Sequence, residues 1–252
     1  MRPFLQEMIK LSSFTDKDAL KVIGDDSHTG FSAVCDDGNQ ALYGLPREVY
    51  HDLKGLFVIP QMKMFNSLLD HEPYHAKDIE IDRFERNVTM ADGSRKMMEV
   101  PKLMKFKDGK GGSAIFHLSG DPTVKGFEPP AKMDFTYSFK PEKSAIKDFN
   151  AMAKIFITPE CRLATASIDQ NNLMFTFGTK ASSTHNGSMI FQENIGNKLS
   201  DGLSYDVSRL TAVFRAIGER EMQMSIGNSF FMRIKFKTEL ADYEYWFRAV
   251  KI

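Results

Sequence analysis

Residues 203–252 read LSYDVSRLTAVFRAIGEREMQMSIGNSFFMRIKFKTELADYEYWFRAVKI, and the period of their hydrophobic pattern changes along the stretch. Apolar side chains recur at helical spacing over 207–217, and Gly218 then ends the helical pattern. Beyond it, apolar and polar residues alternate at 222–226 and 230–237, and 243–252 form a final run. The stretch therefore predicts a strand, an amphipathic helix, a turn and three strands.

Working outward, three more segments have helical spacing with a proline near the start: Pro3–Ser12, Pro60–Asp70 and Pro141–Ile155. Glycines and prolines cluster between Ser119 and Ala131, which predicts a linker. Each half of the chain repeats the order helix, several strands, strand-helix, several strands. We therefore predict a duplicated α+β fold with antiparallel sheets, with domains at 1–118 and 132–252 joined by a connector at 119–131.

Composition limits the function classes. Lys and Arg total 33, as do Asp and Glu, so the net charge is zero, which is unusual for a sequence-specific DNA-binding domain. There is no apolar run of about 18 residues, and Met1 to Phe14 lacks the continuous apolar stretch of a signal peptide, so we expect no membrane association and a cytoplasmic location. The two cysteines, Cys35 and Cys161, are far apart, which argues against a disulfide framework.

The helix predicted at 141–155 has the most polarised charge pattern. One side carries an apolar stripe, and lysines recur at three-, four- and seven-residue spacing on the other. Such a stripe is either a solvated face or a surface that meets an anion. The other predicted helices repeat the pattern more faintly. The candidate phosphate-contacting side chains are Arg2, Lys10, Lys63, Lys140, Lys143, Lys147, Lys154, Arg209 and Arg215.

The patterns of common active and metal sites are missing. His71 and His75 form the tightest group of potential metal ligands, but Pro73 between them disfavours the helical turn that would align them. The glycines at 109–112 precede a strand, which indicates a hairpin turn and not a phosphate loop. The sequence predicts no catalytic residue, no metal site and no cofactor.

Taken together, these features resemble a DNA polymerase sliding clamp. The run from Tyr245 to Ile252 is similar to the Leu-Ala-Pro-Lys-Ile ending of the proliferating-cell-nuclear-antigen family, with Arg248 in place of the leucine and Val250 in place of the proline. The two-domain chain most resembles the clamps of tailed bacteriophages. In that subfamily a strand such as Asp52–Leu56 leads into the second helix, and Asp121–Val124 resembles part of the interdomain connector.

The resemblance implies a non-enzymatic protein that forms a closed homotrimeric ring of six domains. Antiparallel sheets would lie outside, and two helices per domain would line a pore around duplex DNA, bound without regard to sequence. The implied partners are a replicative DNA polymerase and an ATP-dependent clamp loader, in the bacterial host cytoplasm if the protein is phage-encoded.

Two further sites are implied by the resemblance. Edge strands would pair between subunits and join the ring. Their expected contact residues are Ser113, Ile115, Phe116 and Leu118 of one chain and Ser188, Ile190 and Gln192 of the next. Partner proteins would insert a short hydrophobic peptide beside the connector and the last strand. The expected pocket residues are Val124, Phe127, Phe247 and Ala249, although each aromatic side chain could equally belong to the core.

Two other functions stay open from the residues alone. The chain could be a phage structural or ring-forming protein of duplicated α+β domains, in which the lysine faces are only solvated. It could also be an enzyme whose active site assembles from scattered residues.

Overall fold

The computed structural model describes residues 1–14, 18–89, 95–120, 124–158, 162–178, 186–196, 199, 203–227 and 230–250. The chain divides into two compact units. The first unit contains 1–36, 42–129 and 238–243, and the second contains 37–41, 130–237 and 244–252. Both are mixed α and β with antiparallel strand pairs, as predicted.

The first unit begins with a helix and carries a second helix between two groups of strands. Its helices are α1 (Arg2–Leu11) and α2 (Met62–Asp70). Its strands are β1 (Ala19–Gly24), β2 (Thr29–Val34), β3 (Gln40–Pro46), β4 (Gly55–Pro60), β5 (Glu80–Thr89), β6 (Arg95–Lys107) and β7 (Ser113–His117), and the first two residues of β3 count with the second unit. The hydrogen-bonded orders are β4-β1-β2-β3 and β5-β6-β7.

The second unit repeats this arrangement after one short additional strand. Its helices are α3 (Lys143–Phe156) and α4 (Val207–Ile217). Its strands are β8 (Tyr137–Phe139), β9 (Leu163–Asp169), β10 (Asn172–Phe177), β11 (Gly187–Gln192), β12 (Leu203–Asp206), β13 (Met222–Ile226), β14 (Phe231–Lys237) and β15 (Ala241–Arg248), and β15 has its first three residues in the first unit. The orders are β12-β9-β10-β11 and β15-β14-β13-β8.

The internal duplication extends to the strand order. Helix, four strands, helix and three strands follow one another in both halves of the chain. The order β4-β1-β2-β3 has its counterpart in β12-β9-β10-β11, and β5-β6-β7 has its counterpart in β13-β14-β15. The duplicated α+β fold predicted from the sequence is therefore confirmed.

Element boundaries differ from the predictions where backbone geometry overrides periodicity. The helix at 207–217 is as predicted, but Pro60 belongs to β4, where it pairs with Ala19, and α2 begins only at Met62 after Gln61 in a left-handed conformation. Similarly, α3 begins at Lys143 because Glu142 is extended. The last strand, predicted at 243–252, is β15 and ends at Arg248.

The segment predicted as a strand at Asp52–Leu56 is also different. His51–Leu53 form a 3-10 turn, and β4 begins at Gly55. Gly55 has a φ of +124°, a conformation that side-chain-bearing residues rarely adopt. The strand therefore begins at this glycine and not at Asp52. The apolar residues on both sides of Gly55 made the segment resemble one continuous strand.

An aromatic cluster fixes the helices of the second unit on its strands. Phe149 of α3 is fully buried, with ring centroids of Phe175, Phe177 and Phe214 at 5.2, 5.1 and 5.4 Å. Each such side chain contributes roughly 1.5–3 kcal/mol through burial. With the inward faces of α3 and α4 held by apolar packing, the charged faces of these helices point outward.

The N-terminus of α4 offers a stability test. Asp206 accepts a hydrogen bond from the backbone N–H of Arg209 at 3.0 Å, which satisfies one of the otherwise unpaired helical donors. Asp206→Ala is expected to lower the free energy of unfolding by about 1 kcal/mol in urea titration. Glu142→Ala, which changes the residue preceding α3, is the matched control, since Glu142 caps no backbone N–H. Equal effects of both substitutions would contradict the capping role.

Candidate nucleic-acid interface and edge strands

The outward face of α3 carries most of the predicted charge. Phe149 and Ala153 are buried on one side, while Lys143, Lys147 and Lys154 are exposed. Together α3 and α4 contain five basic residues and a single acidic one, Asp148. The lysine pattern thus forms one solvent-exposed surface, which we call the α3 surface (Lys140, Lys143, Lys147 and Lys154).

The two lysines at the start of the α3 surface are ion-paired. Lys140 Nζ lies 2.9 Å from Glu221 Oε2, and Lys143 Nζ lies 2.7 Å from Glu219 Oε2. Each carboxylate accepts a hydrogen bond from its lysine, which holds the pKa values of Glu219 and Glu221 below their usual range. Sequence reasoning missed both acids because they lie in the turn between α4 and β13.

The two arginines of α4 differ. Arg209 Nη1 donates to Asp37 Oδ2 at 2.7 Å, and Arg209 is only partly exposed. Burial alone would raise the pKa of Asp37, but the backbone N–H of Asn39 and the Arg209 guanidinium together lower it. Arg215, near the other end of α4, is exposed. Arg209 is therefore part of a structural pair, whereas Arg215 faces solvent.

In the first unit the predicted basic face is weaker. Arg2 donates to the carbonyl oxygens of Leu69 and Tyr74 at 3.0 and 2.7 Å, so its guanidinium satisfies one acceptor at the end of α2 and one in the 3-10 turn that follows, Glu72–Ala76. Lys10 and Lys63 are exposed, but α2 also carries exposed Asp70. The structure thus brings the predicted basic residues together mainly in the second unit.

The exposed cations also differ in their pairing. Within the part of the chain that the structure describes, five of the nine predicted side chains make neither an ion pair nor a side-chain hydrogen bond: Lys10, Lys63, Lys147, Lys154 and Arg215. These five keep their charge available to an anionic ligand. Arg2, Lys140, Lys143 and Arg209 are engaged within the protein.

The strands predicted to join subunits are terminal in their sheets. Among the described strands, β7 is last in the order β5-β6-β7, and β11 is last in β12-β9-β10-β11. Ile115 on β7 is 54% exposed and Ile190 on β11 is 47% exposed. Apolar side chains exposed on an unpaired edge are the usual mark of a strand that receives a partner.

Other residues predicted at these edges have internal roles. Phe116 is buried against Phe65 of α2, with ring centroids 4.7 Å apart. The Leu118 N–H donates to the Lys102 carbonyl, and Ser188 shares a hydrogen bond with Thr176 at 3.0 Å. Gln192 Nε2 contacts the Glu193 carbonyl at 3.3 Å. Ser113 is exposed like Ile115.

The connector residues of the predicted peptide pocket are anchored to the first unit. Lys21 Nζ donates to the Val124 carbonyl at 3.0 Å, and the Phe127 N–H donates to Ser32 Oγ at 3.1 Å. Both Val124 and Phe127 are partly exposed. Residues 121–123 of the predicted connector lie outside the described residues. No local pattern in the sequence singled out Lys21 or Ser32.

The two pocket residues on the last segment are buried within the second unit. Phe247 is 2% exposed, and Ala249, also buried, donates its N–H to the Phe230 carbonyl at 2.7 Å. Phe230 itself is exposed and has a φ of +62°. This strained, exposed aromatic residue lies beside the predicted pocket segment, and sequence reasoning did not select it.

The residues weighed as metal ligands have other contacts. His75 Nε2 lies 2.8 Å from the Leu69 carbonyl, and the ring of His71 packs on Tyr74. Among the described residues, no group of three or more His, Cys, Asp and Glu side chains is arranged to hold a metal ion. Cys35 is buried, and Cys161 lies outside the described residues. The described helices include none with the length and apolarity needed to cross a membrane.

Solved structures of DNA sliding clamps share the fold of this chain. PCNA of A. fulgidus, solved with the C-terminal region of FEN-1 bound, is 11% identical in sequence to this chain and superposes with a TM-score of 0.65. The match covers 100% of this chain and 97% of that one. PCNA of Thermococcus kodakaraensis is 11% identical with a TM-score of 0.60, over 99% and 97%.

A bacterial clamp shows the same likeness over part of its length. DNA polymerase III subunit beta of Borrelia burgdorferi is 10% identical with a TM-score of 0.65, and the match covers 100% of this chain and 62% of that one. No protein-family model and no curated protein sequence matches the chain. The likeness therefore establishes the sliding-clamp fold, which confirms the expectation drawn from the sequence features taken together, while the particular resemblance to phage clamps stays a prediction.

Proposed function

We propose that this protein is a DNA polymerase processivity factor that encircles duplex DNA and tethers the replicative polymerase during phage DNA replication. The observation that carries the proposal is a whole-chain clamp fold whose second unit presents a basic, solvent-exposed helix surface. Lysines presented in this way contact phosphates and do not read bases, so binding would be independent of sequence. The protein would act as a non-enzymatic factor in the cytoplasm of the bacterial host.

The two open edges support the proposed ring. Pairing of β7 of one chain with β11 of the next would cover Ile115 and Ile190 and satisfy the backbone groups of both strands. Repeated three times, this heterologous contact closes a homotrimer of six clamp units. A closed ring holds DNA by enclosure, so weak contacts to phosphate are sufficient, and a tethered polymerase rebinds at high effective concentration.

Partner docking is proposed at the connector. The A. fulgidus PCNA structure contains the C-terminal region of FEN-1 bound to a clamp. In this chain Val124 and Phe127 are partly exposed on a connector held by Lys21 and Ser32, which fits a peptide that adds apolar side chains to the surface. The polymerase and an ATP-dependent clamp loader are the proposed partners.

Polymerase stimulation tests the proposed function. With a loader and ATP, the protein should extend synthesis on circular primed DNA far more than on linear DNA, because a ring slides off free ends. Sedimentation equilibrium should approach three times the chain mass of 28.6 kDa. A trimer that never stimulates synthesis would favour a ring-forming structural protein, and turnover of a substrate would favour an enzyme.

A pair of phenylalanine substitutions separates peptide docking from core packing. Phe127→Ala should weaken binding of a polymerase-derived peptide roughly tenfold, as expected for one apolar anchor, with little change in stability. Phe247→Ala should instead lower the free energy of unfolding by about 3–5 kcal/mol, because Phe247 is buried. Peptide titration and urea denaturation measure the two effects. Unchanged peptide affinity of the Phe127 variant would remove the connector from the docking site.

A further inference from the structure

The N-terminal end of the α3 surface differs from the rest of that surface. Lys140 and Lys143 are paired with Glu221 and Glu219, at 2.9 and 2.7 Å, and all four side chains are largely exposed. Farther along the helix, Lys147 and Lys154 have no ion pair within the described ranges. The α3 surface therefore has a neutralised end and a charged end.

These ion pairs contribute little to the stability of the fold. Pairs of exposed lysine and glutamate are screened by water and salt and stabilise a fold weakly. The helices are already fixed by the aromatic cluster around Phe149. The two carboxylates consequently influence the electrostatic potential outside the protein more than the packing inside it.

The space beside the pairs is open to a ligand. A cleft of about 460 Å³ separates the start of α3 from the turn after α4, lined by Lys140, Lys143, Arg220 and Glu221 among others. Arg220 is directed along α4 by its contacts with the carbonyl oxygens of Ala216 and Ile217, at 3.4 and 3.0 Å. The cleft is large enough for a phosphate group to approach both lysines.

We propose that Glu219 and Glu221 compete with DNA phosphate for Lys143 and Lys140 and thereby weaken the contact between the α3 surface and duplex DNA. This inference rests on the proposed function. A phosphate that reaches either lysine must displace a carboxylate or share the ammonium group with it, and in both cases the carboxylate stays nearby and repels the phosphate. The net free energy gained by binding a phosphate is therefore small, so no single phosphate is held long and the ring moves freely along the duplex.

The test is a salt titration of duplex binding by the double variant Glu219→Gln/Glu221→Gln. Binding of a short fluorescent duplex is followed by anisotropy. The variant should bind about tenfold more tightly at ~50 mM salt, and the slope of log affinity against log salt should steepen by about two, one for each released lysine. A single-molecule measurement on long DNA should show slower diffusion of the loaded variant ring.

The control variant carries the same change in charge elsewhere. Glu80 pairs with Lys107 and Asp82 with Lys105, both at 2.6 Å, on the antiparallel strands β5 and β6. Glu80→Gln/Asp82→Asn should leave both the affinity and the slope close to wild type. Equal changes in the two double variants would show that the effect comes from net charge alone, and this result would overturn the inference. Unchanged binding by the Glu219→Gln/Glu221→Gln variant would also overturn the inference but would leave the proposed clamp function intact. If the wild-type protein neither binds duplex at low salt nor stimulates polymerase, both the inference and the proposed function are wrong.

Discussion

Replacing Ile115 and Ile190 with glutamate is expected to leave the chain monomeric at concentrations where the proposed trimer of the wild-type protein forms. Each proposed joint would then bury two carboxylates among apolar side chains, at a cost of several kcal/mol. A penalty of about 4 kcal/mol weakens each joint roughly a thousandfold. Sedimentation equilibrium should give a mass near 28.6 kDa, and stimulation of polymerase on circular DNA should be lost.

A matched variant shows whether position matters. Phe84 and Met97 are 40% and 56% exposed, close to the values for the two isoleucines, but they lie on β5 and β6, away from the two proposed edges. Phe84→Glu/Met97→Glu should therefore assemble normally. A trimeric Ile115→Glu/Ile190→Glu variant would show that β7 and β11 do not form the joint.

Charge reversal of Lys147 and Lys154 is the second large effect that we expect. These two lysines belong to the α3 surface and make no ion pair among the described residues. Lys147→Glu/Lys154→Glu should flatten the salt dependence of duplex binding by about two and lower the affinity at least tenfold at ~50 mM salt. Polymerase stimulation in the presence of the loader should fall with it, while the trimer mass stays unchanged.

Lys102→Glu/Lys110→Glu provides the comparison for this variant. Both lysines are exposed, on β6 and in the turn that follows it, and neither lies on a helix. The control changes net charge by the same amount and should retain stimulation. If the two variants lose the same activity, the effect comes from total charge, and α3 has no particular role in contacting DNA.

The sequence determines the fold well because the relevant signals are local. The switch from helical to alternating period at Gly218 predicts α4 and β13 with their observed bounds, since burial of one face imposes the period directly. Helix starts were less predictable. Because Gln61 and Glu142 have non-helical backbone conformations, α2 and α3 begin two residues after the prolines that were expected to start them. The residue composition does not predict these conformations.

The candidate site is predictable only where its chemistry lies in one segment. The lysine spacing of α3 identified that surface, but the pairing of Lys143 with Glu219 joins residues 76 positions apart. Likewise, the bond from Lys21 to the Val124 carbonyl spans 103 positions. Alternation along β15 did not reveal that Phe247 is buried, because Tyr245, Trp246 and Phe247 are all buried in succession. Tertiary packing decides these cases.

Trp246 gives the protein a natural optical label. It is the single tryptophan of the chain and is buried in the second unit, where its ring lies 5.8 Å from Phe135 and beneath the guanidinium of Arg233 at 5.5 Å. Its indole N–H donates to Glu244 at 2.9 Å. Emission excited at the tryptophan band therefore follows the melting of the second unit, whereas circular dichroism follows both. Comparing the two transitions shows whether the two units of this duplicated chain unfold in one cooperative step.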